Sequence, residues 1–401
     1  MKTEFYRQKF QRFSPQFAPF LASDELRVLE NWTIQYELSF QQIKMISEAI
    51  IDLRNWKTTS LQEWHQNHLP FQSKKEFWED ITQHIDTLRQ QPPVYLDTEK
   101  KALTAPHFDV IFEDLQSPVF KPCPTTAPEW ICCGLKVIDV VENCNLGCSY
   151  CILQDFYPDN KIRIANNLHE RLAQVALEPN QRYRITTGEY SDSLMWGNAG
   201  NLLEELCLFA KEHPNCLLEM KTKSTNITWL RKNREQVPPN FMVSWSLNPQ
   251  VVISNEEAKT PTLTARLQAA RSLANEGIKI GWHIHPILYF SGYEKEYVQL
   301  GQRIQEEFAP KEIVAFSLGT LNFIKSQLQK IRRQVPNSKI LRTPLKNNGD
   351  NKWTYSDEIR VTMYRSVLEG MSTWAKNIPC YLCMEPLPIW QQVFPDFSHQ
   401  T

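Results

Sequence analysis

The chain is poor in glycine, with 12 among 401 residues, where ~7% is usual. It has no G-x-G-x-x-G and no G-x-x-x-x-G-K-[ST], so the common nucleotide-binding loops are absent. Neither sign of charge is in excess: 44 Lys+Arg against 45 Asp+Glu leave a net charge of −1. That excludes a uniformly basic nucleic-acid coat but leaves room for a local basic patch. The first 21 residues, MKTEFYRQKFQRFSPQFAPFL, hold no apolar core of a secretory signal. No run of about 18 apolar residues occurs, so no membrane span is expected. A cytoplasmic protein is the expectation.

What is present is an ordinary globular composition, 42% hydrophobic and 22% charged, with ten cysteines. Ten is too sparse for a disulfide scaffold in a chain of this length. In a reducing compartment, clustered cysteines point to metal binding or catalysis.

Residues 1–102 read as a helical N-terminal extension. Ile43, Ile46, Ile50 and Leu53 recur at helical spacing, as do Phe77, Ile81, Ile85 and Leu88 behind a Ser73 cap. Residues 103–134 read as an irregular linker. From 135 to 335 the pattern changes to six short apolar runs, at 137–141, 183–187, 216–221, 241–247, 278–288 and 313–318. Each is followed by an amphipathic segment, near 166–177, 199–212, 227–235, 261–276, 293–308 and 320–334. Repeated β-then-α units predict an α/β fold with a parallel sheet, a full or partial (β/α) barrel. Function then belongs at the C-terminal ends of the strands. Residues 336–401 are expected to cover the barrel.

The first run leads into Glu142-Asn143-Cys144-Asn145-Leu146-Gly147-Cys148-Ser149-Tyr150-Cys151. Three cysteines at C-x3-C-x2-C in one loop are soft ligands, suited to an iron–sulfur cluster or zinc. A structural zinc site wants four closed ligands, whereas this loop offers three. Three thiolates on a [4Fe–4S] cube leave one iron open. A zinc- or cluster-binding module without turnover is the reading from another class.

This motif, with Tyr150 at the aromatic place, resembles the signature of the radical S-adenosylmethionine (SAM) enzymes, which are built on full or partial barrels. The resemblance implies a [4Fe–4S] cluster on Cys144, Cys148 and Cys151, SAM on the open iron, and an electron donor such as flavodoxin or ferredoxin. Thr187-Gly188-Glu189 resembles that superfamily's Gly-Gly-Glu, with Thr187 for the first glycine. A strand-end carboxylate is a reasonable acceptor for the SAM ammonium group.

Cys151-Ile152-Leu153-Gln154, Ser191-Asp192-Ser193, Thr222-Lys223, Ser246-Leu247-Asn248 and Lys352-Trp353 follow one another as in the spore photoproduct lyase family. The likeness spans about residues 137–365. It implies a partial barrel of six (β/α) units, cofactor contacts from Gly188, Glu189, Ser191, Lys223 and Ser246, a role for Tyr150, and cleavage of a thymine lesion in DNA. A protein, RNA or small-molecule substrate is the alternative. The chain also departs from the family. The place of the family's hydrogen-donating cysteine is Glu189, beside Tyr190. Ile152 stands where a tyrosine is expected, and Thr354 and Tyr355 where an arginine is.

Cys380-Tyr381-Leu382-Cys383 is a C-x-x-C near the end of the sequence. Cys380 or Cys383 is expected to supply the missing hydrogen atom; with Cys132 and Cys133 the pair could also build a second cluster. His283 and His285 alternate on one strand and share a face, facing substrate or packed in the core. The stretch 325–352 carries eight basic residues against Asp350. Lys330, Arg332, Arg333 and Lys352, with Trp353 as a stacking platform, form a candidate nucleic-acid contact, against the plainer reading of a solvated helix and loop.

Overall fold

In a computed structural model of the protein, the described residues are 2–95, 107–123, 130–131, 133–157, 159–349, 351–374 and 378–396. The chain folds as two compact units, Met1–Val94 with Phe323–Lys352, and Tyr95–Asn322 with Trp353–Thr401. These limits differ from those expected at 102, 134 and 335.

The first unit is helical: α1 (Lys2–Phe13), α2 (Ser23–Gln35), α3 (Phe40–Trp56), α4 (Leu61–Asn67) and α5 (Lys74–Gln90). The predicted Ser73 cap is present, and Ser39 caps α3 in the same way. The Ser39 hydroxyl accepts from the Gln42 amide at 3.2 Å, and Ser73 accepts from Glu76 at 3.2 Å. The apolar faces read from sequence meet in one core, where Ile43, Ile46, Phe77 and Ile81 are fully buried. The helix Lys325–Gln334, expected as the last barrel crossover, belongs to this unit instead. Its Ile331 is buried, and its Arg332 is paired with Asp52 at 2.7 Å and with Glu48 at 3.5 Å.

The second unit holds an open eight-stranded sheet whose strands lie side by side in chain order. They are β1 (Phe120–Pro122), β2 (Lys136–Ile138), β3 (Tyr183–Thr187), β4 (Cys216–Thr222), β5 (Phe241–Ser246), β6 (Lys279–Ile287), β7 (Ile313–Thr320) and β8 (Cys380–Leu382). Only β1 is antiparallel to its neighbour; β2 to β8 pair in parallel. The fold is therefore an α/β partial barrel, with its six central strands where the apolar runs predicted them. Parallel strands are covered on both faces and so read as continuous apolar runs; the buried Trp245 and Trp282, paired across β5 and β6, show why. The expected linker contributes β1 and the strands Asp109–Glu113 and Trp130–Ile131, and the expected cap contributes β8.

Candidate active site

The cysteine loop leaves the first short strands through Asn143, whose φ of 72° is tolerated better by Asn than by most residues. Its side chain organises the exit. Oδ1 accepts the Cys144 amide at 2.8 Å, and Nδ2 donates to the carbonyls of Asp159 and Lys161 at 3.2 and 3.0 Å. The far side of the loop is held by the segment after β5. The Ser149 amide donates to the Glu256 carbonyl at 2.8 Å, and the Lys259 amide to the Leu146 carbonyl at 2.9 Å. The Tyr150 hydroxyl donates to the Glu257 carboxylate.

Glu257 is the hub of that support. It is fully buried against an equally buried Arg266, and it also accepts from Thr260 at 3.0 Å and Asn248 at 3.4 Å. Burial alone would raise its carboxyl; Arg266, Lys223 and the Tyr150 bond outweigh that and hold it at about 2. Tyr150 thus carries the loop through its ring and hydroxyl, while Lys223 stands 5.6 Å from the ring centroid.

The three thiols sit close enough to perturb one another. Burial, then Cys151 and Asp192, pushes the Cys144 thiol up; burial pushes Cys148 up to about 12 although Lys223 opposes it. Thiols so held give up their protons to a metal rather than to water. Among the described residues, no group of three or more His, Cys, Asp or Glu is gathered tightly enough for a single metal ion. Three soft donors on one loop fit a cluster, which is larger than one ion and has a fourth position to spare.

Beside the loop, the ends of β3 and β4 carry the other expected contacts. The φ of Gly188 is 92°, and a Cβ there would lie 2.6 Å from both the Lys221 carbonyl and the Ser193 hydroxyl oxygen, so only glycine fits. The Ser191 hydroxyl donates to the Asn143 carbonyl at 2.6 Å, tying this strand end to the cysteine loop. Asp192 gathers the turn. It accepts from the Lys223 amide and the Thr222 hydroxyl, both at 2.7 Å, and from the amides of Leu194 and Met195. Lys223 is held above its ordinary value: burial opposes its charge, and Cys148 and Glu257 outweigh it. The Ser246 hydroxyl donates to the His285 carbonyl at 3.3 Å. Glu189 makes an ion pair with Lys221, a partner the sequence reading missed.

The inward face of the barrel continues the charge. Glu219, fully buried, is paired with Arg184 at 2.8 Å and accepts from His283 Nε2 at 2.7 Å, while the Ser317 hydroxyl bonds His283 Nδ1. Burial, chiefly, lowers His283, so the neutral ring donates to Glu219 and accepts from Ser317. Burial and His283 push His285 down to about 4. His283, His285 and Ser317 line a cavity, partly open to solvent, together with Glu189, Lys221, Tyr381 and Cys383. The C-x-x-C pair is split: Cys383 lines the cavity and Cys380 does not. Cys123 and Cys133 also line it, whereas Cys132 lies outside the described residues.

The basic stretch is engaged within its own unit. Arg332 is held by Asp52 and Glu48, and the Arg333 guanidinium lies 4.9 Å from the Phe20 ring centroid. Lys330, Lys352 and Trp353 are half-buried. Among the described residues, no helix is long and apolar enough to cross a membrane.

Spacing revealed the cysteine triplet, but Glu219, Lys221, Glu257 and Arg266 belong to no motif. Glu219 and Lys221 alternate with apolar residues in a buried strand, and that alternation was a usable signal of an inward polar face. Glu257 and Arg266 are nine residues apart with nothing to mark them as a pair.

Known proteins resemble this arrangement. A sequence profile described as spore photoproduct lyase matches residues 136–372. The spore photoproduct lyase of Geobacillus sp. is 26% identical over 210 residues, 51% of this chain and 61% of the relative. That of Clostridium acetobutylicum is 30% identical over 98 residues, 24% of this chain and 29% of the relative. The matched regions thus cover less than two thirds of either relative. A solved spore photoproduct lyase complexed with dinucleoside spore photoproduct is 21% identical, with a TM-score of 0.60 over 77% of this chain and 94% of its own. A variant of that enzyme with bound AdoMet and dinucleoside spore photoproduct gives 0.59 at 21% identity over the same shares. These likenesses support the partial-barrel fold.

Proposed function

The chain belongs to the spore photoproduct lyase family, and from that premise we propose that it is a radical SAM lyase acting on a thymine lesion in DNA. The observation that carries the proposal is the C-x3-C-x2-C loop pinned beside the Gly188–Glu189 strand end, at the rim of a polar barrel interior. Cys144, Cys148 and Cys151 would hold a [4Fe–4S] cluster. Gly188, Glu189, Ser191, Lys223 and Ser246 would bind SAM, and a flavodoxin or ferredoxin would supply the electron. Bound together, cluster and SAM supply one-electron reductive cleavage of SAM, which starts radical chemistry on the substrate.

The chain's own residues set the conditions for that chemistry. Lys223, kept cationic, offers a partner for the SAM carboxylate. Glu189, whose charge is held by Lys221 although burial opposes it, offers an acceptor for the ammonium group. The buried Glu257–Arg266 pair and Tyr150 fix the cysteine loop. Cys383 faces the cavity as a protonated thiol, kept so by burial and then by Cys133, and is our candidate hydrogen-atom donor. Lys330, Arg333 and Lys352 in the first unit are proposed phosphate contacts and Trp353 in the second a proposed base contact, while Arg332 is committed to Asp52.

A second reading, turnover of a protein, RNA or small molecule, is favoured by one observation. An ion pair, Glu189–Lys221, occupies the place of the family's donor cysteine. Anaerobic loading with iron and sulfide, followed by reduction with SAM and dinucleoside spore photoproduct, tests both. The first reading expects about four irons per chain, 5′-deoxyadenosine and the repaired dinucleotide. Deoxyadenosine without repair supports the second. Stoichiometric zinc without SAM cleavage overturns both in favour of a binding module.

A further inference from the structure

Three thiols face one cavity, and hydrogen donation requires only one. Cys133 follows the strand Trp130–Ile131, and Cys383 comes shortly before the strand Glu385–Pro386. The two strands are antiparallel, with Trp130 opposite Pro386 and Ile131 opposite Glu385. Each step forward on one strand is a step back on the other. The ladder brings the two cysteine-bearing segments together at one end, Cys133 two residues past Ile131 and Cys383 two residues before Glu385. Both side chains do line the same cavity, and they interact electrostatically. The Cys383 amide is fixed to the Leu318 carbonyl at 2.7 Å, anchoring this end of the pair on β7.

We propose that Cys133 and Cys383 form a reversible disulfide when the protein meets a small-molecule disulfide such as oxidised glutathione. Cys133 is exposed and Cys383 half-buried, which sets the order of events. The Cys133 thiolate attacks the small disulfide, forms a mixed S–S bond and expels one thiolate. Cys383 then loses its proton to water and attacks the Cys133 sulfur, expelling the second thiolate. Two protein thiols are oxidised by two electrons, the small disulfide is reduced to two thiols, and the protons follow. Burial, with Cys133 beside it, holds the Cys383 thiol well above its ordinary value, so the second step is slow and quickens as pH rises. In the oxidised pair no S–H of Cys383 faces Glu189 and Lys221. That consequence for turnover rests on the function proposed above; the disulfide does not.

The test uses the full-length, cluster-loaded protein under anaerobic conditions. Oxidised glutathione is added, free thiols are trapped with iodoacetamide, and peptides are identified by mass spectrometry. The expected result is a Cys133–Cys383 linked peptide, with two fewer alkylated cysteines, reversed by dithiothreitol. Cys133→Ser and Cys383→Ser each abolish it, and Cys132→Ser keeps it. Arrest at a glutathione adduct on Cys133 with Cys383 still alkylated overturns the proposal, as does a link that runs through Cys132 or Cys123. A linked peptide whose formation leaves lesion repair unchanged supports the disulfide and removes Cys383 as donor.

Discussion

Cys144, Cys148 and Cys151 occupy one loop, while Cys123, Cys133 and Cys383 reach one cavity from three distant segments. The first set has its backbone fixed from both sides, by Asn143 and by the Glu256–Glu257 segment. It has a cation, Lys223, beside it. The second set stands among Glu189, Lys221, His283 and His285, and one member, Cys133, is open to solvent. On the function proposed, the same side chain serves two chemistries. A rigid loop that gathers three thiols suits a metal, which displaces their protons, and a cavity that holds a single protonated thiol suits hydrogen transfer.

The largest effect should separate the two sets outright. Replacing Cys144, Cys148 or Cys151 by Ala is expected to abolish iron loading and cut SAM cleavage by at least about 100-fold. Cys123→Ala and Cys133→Ala should leave iron content unchanged. Iron analysis and 5′-deoxyadenosine assay check this; iron loss in the cavity variants would break the distinction.

The supports of the two regions should differ next. Glu257→Gln leaves the fully buried Arg266 without its counter-charge and should cost roughly 3–5 kcal/mol in denaturant unfolding. Glu189→Gln disturbs a pair that is about one-fifth exposed on each side, and about 1 kcal/mol is expected. Equal losses would show that the loop is no more rigidly built than the cavity rim.

A smaller effect concerns pH. His285 has an ordinary value near 6.5 and sits at about 4 in the fold, so the native state prefers the neutral ring. Its contribution is therefore complete above pH ~6.5 and is lost as pH falls toward 4, on the order of 2 kcal/mol for a partly buried ring. His285→Gln should flatten unfolding stability between pH 6.5 and 4. An unchanged slope would move the cause elsewhere. The smallest effect is expected at the basic stretch. Arg333→Glu should weaken duplex DNA binding and make its salt dependence shallower by about one phosphate contact. Arg332→Glu should instead destabilise its own helical unit by breaking the bond to Asp52.

The cysteine loop was legible because its three thiols are neighbours in the chain, and spacing alone describes it. The six central strands were legible because burial on both faces leaves continuous apolar runs such as Phe241–Ser246. Strand β8 was not, since Cys380–Leu382 is three residues long and, among the described residues, joins the sheet through β7 alone. Nor was the cavity legible: Lys221 looks like a surface lysine until Glu189 is brought beside it. Arg332 misled in the opposite direction, since a basic run suggests a solvated or phosphate-binding face and only the fold supplies Asp52.

That radical generation and hydrogen donation belong to different thiol sets is the proposal on which the rest depends. It is tested most directly by assaying cluster-loaded Cys383→Ala with SAM and dinucleoside spore photoproduct, measuring both products together. The expected result is 5′-deoxyadenosine within about 2-fold of the parent and repaired dinucleotide reduced by at least about 10-fold. Repair at the parent level would contradict it, as would a parallel loss of both products.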